Sequence, residues 1–431
     1  MEVMPGYKQT AVGVIPEDWV VTTINGIASC ARNAIVGGPF GSDLVSLDYE
    51  DRGVPVIRGQ NMNSQWVSGN FVFVTLAKAN SLEANLARPG DIVFTQRGTL
   101  GQVSLVPESP FEYYLVSQSQ MKLSVNRGLA DSLFFFYVFT SVNQQAYIRL
   151  STIQTGVPHI NLGILRDIPV QLPPLAEQHA IAASLSDADA LIESLEQLIA
   201  KKLHIKQGAM QELLTGKRRL PGFSGEWEVK SFGDIFDYYS TATNSRGDLT
   251  DGGDAYYIHY GDIHTRFRSH LDFRVHRPPR IERRRCKNAT LLQNGDWIMV
   301  DASEDFNGVG KSVEILGLDE GVPAVAGLHT FLLREKGPTF ALGFKGHLGN
   351  LEPLHDQFLR VATGMKVFGV SKTALKDLIL HVPSIAEQKA IATILSNMDT
   401  EIAALEAKLV KYRQIKQGMM HNLLTGRIRL L

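Results

Sequence analysis

The most chemically suggestive part of the sequence is an arginine-rich segment, residues 264–288. Two acidic residues, Asp272 and Glu282, stand against a long series of basic ones: Arg266, Arg268, Arg274, Arg277, Arg280, Arg283, Arg284, Arg285 and Lys287. Such a cluster can neutralise phosphates, and a guanidinium can donate two hydrogen bonds to a guanine edge. The alternative is an ordinary solvated basic surface. We take as candidate DNA contacts Arg266, Arg268, Arg280, Arg283, Arg284 and Arg285.

A second, weaker set of candidates lies in the first hundred residues. Arg58, Gln60, Asn61 and Arg97 follow or interrupt short strand-like runs. The amides of Gln and Asn match an adenine edge, and Arg matches a guanine edge. Loop residues without such a role would look the same, so the signal is weak. Two further candidates for DNA contact are His159 and Lys366.

Residues 306–310 spell F-x-G-x-G, a motif similar to the S-adenosylmethionine loop of methyltransferases. Gly310, however, has a counterpart in Gly101 of GTLGQVSLV, which predicts a turn between two strands instead. No N-P-P-[YFW] motif accompanies it. The histidines at 259–276 have neither cysteine partners nor regular ligand spacing. We therefore expect no catalytic residue, no metal site and no cofactor site in this chain.

Length and composition set wide limits. A chain of 431 residues with a net charge of −1 has room for two or three domains and no overall attraction to nucleic acid. Its two cysteines, Cys30 and Cys286, are far apart in sequence, which fits a reducing cytosol. The N-terminus has no apolar signal core, and the apolar run at 133–139 is too short to span a membrane.

A long internal repeat predicts the helices that must position these residues. Residues 172–220 return as 382–430, with 25 of 49 aligned positions identical. Prolines at 173, 174 and 383 and glycines at 216 and 426 predict the start and end of two long helices. A 3.5-residue seam predicts coiled-coil packing. Its positions are Leu185, Ala188, Ile192, Leu195, Ile199, Lys202, Lys206, Ala209 and Leu213 in the first copy, and Leu395, Met398, Ile402, Leu405, Leu409, Tyr412, Lys416, Met419 and Leu423 in the second.

The charges of the two copies indicate how they pair. Acidic residues concentrate in the first half of each copy and basic residues in the second half. Two such helices attract each other when they run antiparallel and repel when parallel. The charges could instead only solvate a helix face, as most charge runs do. Because the pattern occurs twice, we predict an intramolecular antiparallel pair.

The two blocks that precede the helices share a few matched residues and differ in the sequence between those residues. Short β-like runs broken by Gly, Pro and Asn predict strand-rich domains. The matched anchors are Trp19 and Trp227, Gly90-Asp91 and Gly295-Asp296, and Thr155-Gly156 and Thr363-Gly364. We predict an α+β protein with an internal pseudo-two-fold repeat. Its parts are a first globular domain (1–171), a long helix (172–220), a second globular domain (221–381) and a second long helix (382–431), with the helices forming an antiparallel coiled coil.

This plan resembles the DNA specificity subunit of type I restriction-modification systems. The residues that carry the resemblance are LPPLAEQ and VPSIAEQ, the IKQG and LLTG segments of both helices, and the IPEDW and GEW starts of the two blocks. The family implies two target recognition domains, each reading half of a split, asymmetric site in double-stranded DNA. It also implies helices that space the half-sites and dock two methyltransferase subunits, with restriction and translocase subunits joining larger assemblies.

The resemblance further implies a non-catalytic, cytoplasmic prokaryotic protein, with S-adenosylmethionine, ATP and Mg on the partner subunits. The repeated motifs supply candidate partner-docking residues: Glu177, Gln178, Gln207, Gly208, Glu387, Gln388, Gln417 and Gly418. Two other functions stay open from the residues alone. A self-contained methyltransferase or nuclease is disfavoured by the missing catalytic motif, and a scaffold that binds only proteins is disfavoured by the arginine-rich segment.

Overall fold

The computed structural model describes residues 5–154, 156–304, 308–364 and 367–430. The chain forms two compact units, one of residues 1–196 and 408–431, the other of residues 197–407. Each unit therefore contains one strand-rich domain and parts of both long helices. Within the described residues, no helix has the length and apolarity needed to cross a membrane.

The first unit is built from short strands and short helices. Its strands are β1 Tyr7–Thr10, β2 Gly13–Pro16, β3 Val20–Thr23, β4 Ile35–Gly37, β5 Val54–Ile57, β6 Val72–Val74, β7 Leu86–Ala87, β8 Ile92–Thr95, β9 Val103–Leu105, β10 Tyr114–Val116, β11 Gln120–Leu123 and β12 Pro169–Leu172. Its helices are α1 Ile24–Ile27, α2 Leu76–Ser81, α3 Ser132–Thr140, α4 Val142–Leu150 and α5 Leu162–Asp167. The first long helix, α6, spans Leu175–Leu213.

Two four-stranded sheets organise the first domain. One has the order β4-β11-β8-β9 and is antiparallel, and the other has the order β6-β5-β10-β7 with β5 and β10 parallel. Strand β3 pairs with β12, which ties the start of the domain to its end. The apolar helix α3 lies in the core with the start of α6, where Ile181 and Leu185 are buried. The long helix is thus rooted in the domain that precedes it.

The second unit repeats most of these elements. Its strands are β13 Glu228–Ser231, β14 Phe236–Tyr239, β15 Ala255–Ile258, β16 His270–Asp272, β17 Arg280–Ile281, β18 Trp297–Val300, β19 Ala302–Ser303, β20 Ser312–Leu316, β21 Ala324–Ala326, β22 Thr330–Glu335, β23 Phe368–Gly369 and β24 Ile379–Val382. Its helices are α7 Phe232–Ile235, α8 Tyr260–Thr265, α9 Lys345–Leu348, α10 Glu352–Val361 and α11 Lys372–Lys376. The second long helix, α12, spans Ile385–Leu423.

The two domains share one topology. The sheet β14-β22-β18-β20-β16 repeats the order β4-β11-β8-β9 and adds β16 at its edge. The parallel pair of β15 and β21 repeats that of β5 and β10, and β13 pairs with β24 as β3 pairs with β12. The predicted internal repeat and the α+β class are therefore confirmed at the level of strand order.

The long helices pack antiparallel in each unit. In the first unit Asp189 pairs with Lys416 at 2.5 Å and Glu196 with Arg413 at 2.6 Å. In the second, Lys202 pairs with Glu401 at 2.6 Å and Lys206 with Asp399 at 2.5 Å. Residue numbers rise along α6 as they fall along α12, so the predicted antiparallel pairing is confirmed. None of the predicted seam positions is exposed, and the three seam lysines, at 202, 206 and 416, are those that bind acids of the other helix.

The helix boundaries differ slightly from the prediction. The predicted first segment, 172–220, includes Leu172 of β12 and a turn that begins after Leu213. The helix ends at this turn, where Gly216 has a φ of 70° and its counterpart Gly426 has a φ of 68°. A left-handed glycine stops a helix because an L side chain is strained there. The segments 214–220 and 424–430 are therefore short tails beyond the helices.

Candidate nucleic-acid interface

A shallow polar concavity of the first domain collects side chains from two loops. We call it the first polar face and define it by Gln60, Asn63, Arg97, Thr99 and Gln102. The loop after β5 supplies two of these residues, and the turn between β8 and β9 supplies the others. Strand pairing brings the two loops together. Strand β5 pairs in parallel with β10, and β11, which follows β10 in the chain, pairs antiparallel with β8.

The amides of the first polar face hold one another in place. Gln102 Nε2 donates to Asn63 Oδ1 at 3.2 Å, and Asn63 Nδ2 donates to the carbonyl oxygen of Gln60 at 3.0 Å. Arg97 is exposed, and its guanidinium has no hydrogen-bond or ion-pair partner in the described part of the chain. The face therefore offers one free guanidinium beside fixed amides, which is a set of groups suited to purine edges.

Two residues predicted to contact DNA have other roles. Asn61 is 1% exposed, accepts the backbone N–H of Arg58 and donates to the carbonyl oxygens of Ser68 and Asn70. Its amide is used inside the loop, so Asn61 is removed from the candidate contacts. Arg58 is half-buried, with its guanidinium 5.9 Å from the ring centre of Tyr49. Sequence reasoning instead missed Asn63 and Gln102, whose proximity to Arg97 depends on strand pairing.

The remaining candidate of the first domain lies beside Arg97. His159 forms an isolated antiparallel β-bridge with Arg97, and its Nδ1 lies 3.0 Å from the carbonyl oxygen of Val157. It therefore borders the first polar face. The candidate Lys366 lies outside the described residues.

The arginine-rich segment of the second domain is held largely by acceptors within the chain. Arg283 is half-buried, and its guanidinium donates to the carbonyl oxygens of Cys286, Lys287 and Ala289, the last two at 3.2 and 3.0 Å. These bonds close the loop after β17. Because its donors are used, Arg283 is a structural residue and leaves the set of candidate DNA contacts.

The two arginines that follow are exposed but partly neutralised. Arg284 donates to the carboxylate of Glu282 at 2.9 Å, and this stabilises the charged form and lowers the pKa of Glu282. Arg285 lies between Glu282, at 3.3 Å, and Asp248, at 3.0 Å. Ion pairs this exposed can exchange for phosphate at little cost. Arg284 and Arg285 therefore remain candidates for phosphate contact.

Three arginines earlier in the segment are also engaged. Arg268 pairs with Glu406 of α12 at 2.5 Å, which fastens the domain to a helix of the same unit. Arg266 lies 3.7 Å from Asp262. The guanidinium of Arg280 stacks 4.6 Å above a tyrosine ring of β15. Counting charges in the sequence could not reveal these partners, and the segment is less available to DNA than its composition indicates.

The glutamates repeated in the two copies, Glu177 and Glu387, each form a buried ion pair with an arginine, which we call a clasp, instead of a docking surface. Glu177 is fully buried at the start of α6. It accepts a hydrogen bond from Trp19 Nε1 at 2.9 Å and two from Arg429, at 2.5 and 2.8 Å. Arg429 also donates to both carboxylate oxygens of Asp18, which lowers the pKa of that carboxyl group. The tail after α12 is thereby fixed to the first domain.

The second unit contains the same clasp. Glu387 is 1% exposed and accepts hydrogen bonds from Arg219 at 2.6 and 2.8 Å and from Trp227 Nε1 at 3.2 Å. The guanidinium of Arg219 also lies 5.5 Å from the indole of Trp227. A tryptophan, a glutamate and an arginine therefore join each domain to the tail of the other copy's helix.

The glutamines next to these acids are equally buried. Gln178 and Gln388 are each 0% exposed, and each accepts one backbone N–H and donates to two backbone carbonyls. Buried side chains with satisfied partners have no surface to offer. The prediction that the four motif residues Glu177, Gln178, Glu387 and Gln388 form a docking surface is corrected for this reason.

The other four predicted docking residues are exposed. Gln207 and Gly208 of α6 and Gln417 and Gly418 of α12 all face outward. A Cβ atom built on either glycine meets nothing within 4 Å, so neither glycine is required by a contact within the described chain. Gln417 and Gly418 line an open groove beside the start of α4.

The glycine motif of the second domain is a turn, as predicted. Gly310 has a φ of 79° and stands between the antiparallel strands β18 and β20, just as Gly101, with a φ of 90°, stands between β8 and β9. The preceding Phe306 and Asn307 lie outside the described residues. The part of the chain that is described contains no group of three or more His, Cys, Asp or Glu residues able to hold a metal ion.

Known proteins are similar to this chain over nearly its whole length. Residues 16–202 match the family model of the type I restriction modification DNA specificity domain. The type I restriction enzyme MjaVIII specificity subunit of Methanocaldococcus jannaschii is 22% identical, over 96% of this chain and 94% of that protein. The putative type I restriction enzyme MjaX specificity subunit of the same organism is 23% identical, over 98% and 96%.

The fold agrees with these matches. The crystal structure of the type I restriction-modification S subunit from M. genitalium superposes with a TM-score of 0.57 at 15% identity and covers 98% of both chains. Its similarity extends over both domains and both long helices, the elements whose repetition the sequence showed. The family model, the relatives and the solved structure all indicate a specificity subunit of a type I restriction-modification system.

Proposed function

We propose that this chain gives a type I restriction-modification complex its DNA target, with each globular domain reading one half of a bipartite, asymmetric site. The observation that carries the proposal is the combination of one shared topology with two different sets of exposed polar side chains. Equivalent scaffolds can enter grooves in equivalent ways, and different side chains then select different bases. The chain itself is non-catalytic, as its family is.

In the first domain, the first polar face is the reading surface. Arg97 carries a free guanidinium and suits a guanine edge, while the amides of Gln60 and Asn63 suit an adenine edge and Gln102 positions them. The hydrogen bond from Gln102 to Asn63 keeps both amides from rotating freely. Fixed donors and acceptors bind a matching base more tightly than mobile ones, because less conformational entropy is lost on binding.

The long helices set the distance between the half-sites and dock two methyltransferase subunits. Supporting this are the exposed glycines, Gly208 and Gly418, which lie inside the helices five residues before each helix ends. A mid-helix glycine destabilises a helix by about 1 kcal/mol relative to alanine, and no contact within the described residues requires it. Close approach of a partner backbone explains its presence in both copies. Restriction and translocase subunits join the larger complex, and S-adenosylmethionine, ATP and Mg belong to the partners, in the cytoplasm of a prokaryotic cell.

Replacing Arg97 tests this function. The chain is expressed with the methyltransferase subunit of its own system, and methylated bases are mapped by sequencing the host DNA. We expect the wild type to methylate one bipartite sequence and Arg97→Ala to relax one position of one half-site, since a bidentate contact contributes about 1–3 kcal/mol of discrimination. Arg52 is exposed just before the start of β5, at the end of the strand away from the first polar face, and supplies the control Arg52→Ala. An unchanged methylated sequence in Arg97→Ala would remove Arg97 from the reading surface.

A further inference from the structure

Backbone hydrogen bonds locate the counterpart of the first polar face in the second domain. In the first domain, Ser117 N donates to the carbonyl oxygen of Ile57 at 3.0 Å, where β5 ends. In the second, Gly327 N donates to the carbonyl oxygen of Ile258, also at 3.0 Å, where β15 ends. The residues that follow β5 and β15 are therefore equivalent, and Tyr260 stands at the place of Gly59.

A second pair of bonds fixes the other side of the face. Gln96 N donates to the carbonyl oxygen of Ser119 at 2.7 Å, and Asp301 N donates to that of His329 at 3.2 Å. His329 is thus equivalent to Ser119, which borders the first polar face. Counting along the chain from this match, Asp301 takes the position just before the counterpart of Arg97.

Counting from the match of Ile57 with Ile258 also places His264 at the position of Asn63. The four side chains form one cluster, which we call the second polar face and define by Tyr260, His264, Asp301 and His329. The ring of Tyr260 meets His329 edge to face at 5.5 Å and His264 at 6.1 Å. His329 Nδ1 lies 3.5 Å from Asp301 Oδ1, which is longer than a good hydrogen bond. The face joins aromatic and imidazole groups to a carboxylate.

Two features set this cluster apart from a packed surface. His329 is exposed and has a φ of 56°, a left-handed conformation that is unfavourable for a residue other than glycine. Asp301 Oδ1 is buried, and its long contact with His329 Nδ1 leaves it without a well-formed hydrogen bond in the described part of the chain. Strained residues and unsatisfied buried acceptors are uncommon, and both are concentrated at functional sites.

From these observations we infer that the second domain reads its half-site through the second polar face, formed by Tyr260, His264, Asp301 and His329, and not through the arginine-rich segment. The inference rests on the proposed function. It deepens that function by naming the reading residues of the second domain. An imidazole donates or accepts a single hydrogen bond at a base edge, a carboxylate accepts one, and the tyrosine ring supplies an apolar contact of the kind a thymine methyl group makes. Arg284 and Arg285 then contact phosphates, which position the duplex and carry no sequence information.

The test compares His329→Gly with Arg284→Ala, again in complexes formed with the system's own methyltransferase subunit. Glycine accepts the left-handed backbone, so the substitution removes the imidazole and no other constraint. Methylated sequences are mapped in host DNA, and binding is measured on a duplex library randomised through both half-sites. We expect His329→Gly to lower discrimination about tenfold at one position of the half-site that Arg97→Ala leaves unchanged. We expect Arg284→Ala to weaken binding uniformly and keep both half-sites.

The outcomes are separable. An unchanged second half-site in His329→Gly overturns the inference, and so does relaxation of that half-site by Arg284→Ala alone. Relaxation of the same half-site by Arg97→Ala and His329→Gly also overturns it. Tyr260→Phe keeps the ring and its packing and should leave the methylated sequence intact, and relaxation of the second half-site by this variant would overturn the apolar contact assigned to the ring. Absence of any bipartite methylated sequence in the wild type would instead refute the proposed function, whatever the variants do.

Discussion

The clasp of the first unit allows a quantitative prediction. Replacing Arg429 with Ala leaves the carboxylate of Glu177, which is fully buried, with the indole N–H of Trp19 as its remaining partner. Removing one member of a buried ion pair destabilises proteins by about 3–5 kcal/mol. Because a third of the Arg429 side chain is exposed, we expect the lower end of this range, about 3 kcal/mol.

The measurement is denaturant unfolding of the full-length chain, with a double-mutant cycle of Arg429→Ala and Glu177→Gln. The two substitutions should be strongly non-additive, because removing the acid also removes the unpaired buried charge. Arg427→Ala is the matched control: Arg427 is exposed in the same tail and contacts His421, so its loss should change stability by less than about 0.5 kcal/mol. Equal destabilisation by Arg429→Ala and Arg427→Ala, or simple additivity in the cycle, would refute the role of the clasp.

Two further predictions concern the helices and a loop of the first domain. Inserting seven matched residues after Ala200 and after Val410 preserves the apolar seam and lengthens each helix by roughly 10 Å. The gap between the half-sites should then grow by about three base pairs. Alternatively, methylation should be lost, because three base pairs also turn the duplex by roughly 100°. Full methylation of the original site, mapped by sequencing, would show that the helices do not set the gap. Asn61→Ala should destabilise the chain by about 1–3 kcal/mol, because buried backbone partners lose their hydrogen bonds, whereas Gln60→Ala, at an exposed neighbour, should leave the unfolding midpoint unchanged.

The parts of the fold that follow from periodicity could be predicted from the sequence. The seam and the placement of charges predicted the helix pair and its direction, because helix packing depends on residues three and four apart in sequence. Lys206 is an instance: a lysine in an apolar seam requires an acid on the facing helix, and Asp399 supplies it. Similarly, Gly216 predicted a helix end because its constraint is local to the backbone.

The roles of the site residues could not be predicted in the same way. Repetition of Glu177 and Glu387 shows that both copies share a constraint, but it does not tell a buried hydrogen bond from a docking surface. Burial against Trp19 depends on contacts 158 positions away. The function of Arg283 depended on which carbonyls lie near it. His329 gave no signal at all in the sequence, because its counterpart in the first domain is a serine.

The division of the chain into units has a consequence for its synthesis. The first unit needs residues 408–431, which the ribosome adds only after the whole of the second unit, residues 197–407. The first core includes Leu423 and Leu424 from that late segment, packed with Ile181 and Leu185. While the second unit is being translated, the first therefore keeps an apolar helix face uncovered, which exposes it to aggregation. All residues of the second unit are synthesised before those of the first unit are complete. The first unit, although its synthesis begins earlier, is therefore the last that can finish folding.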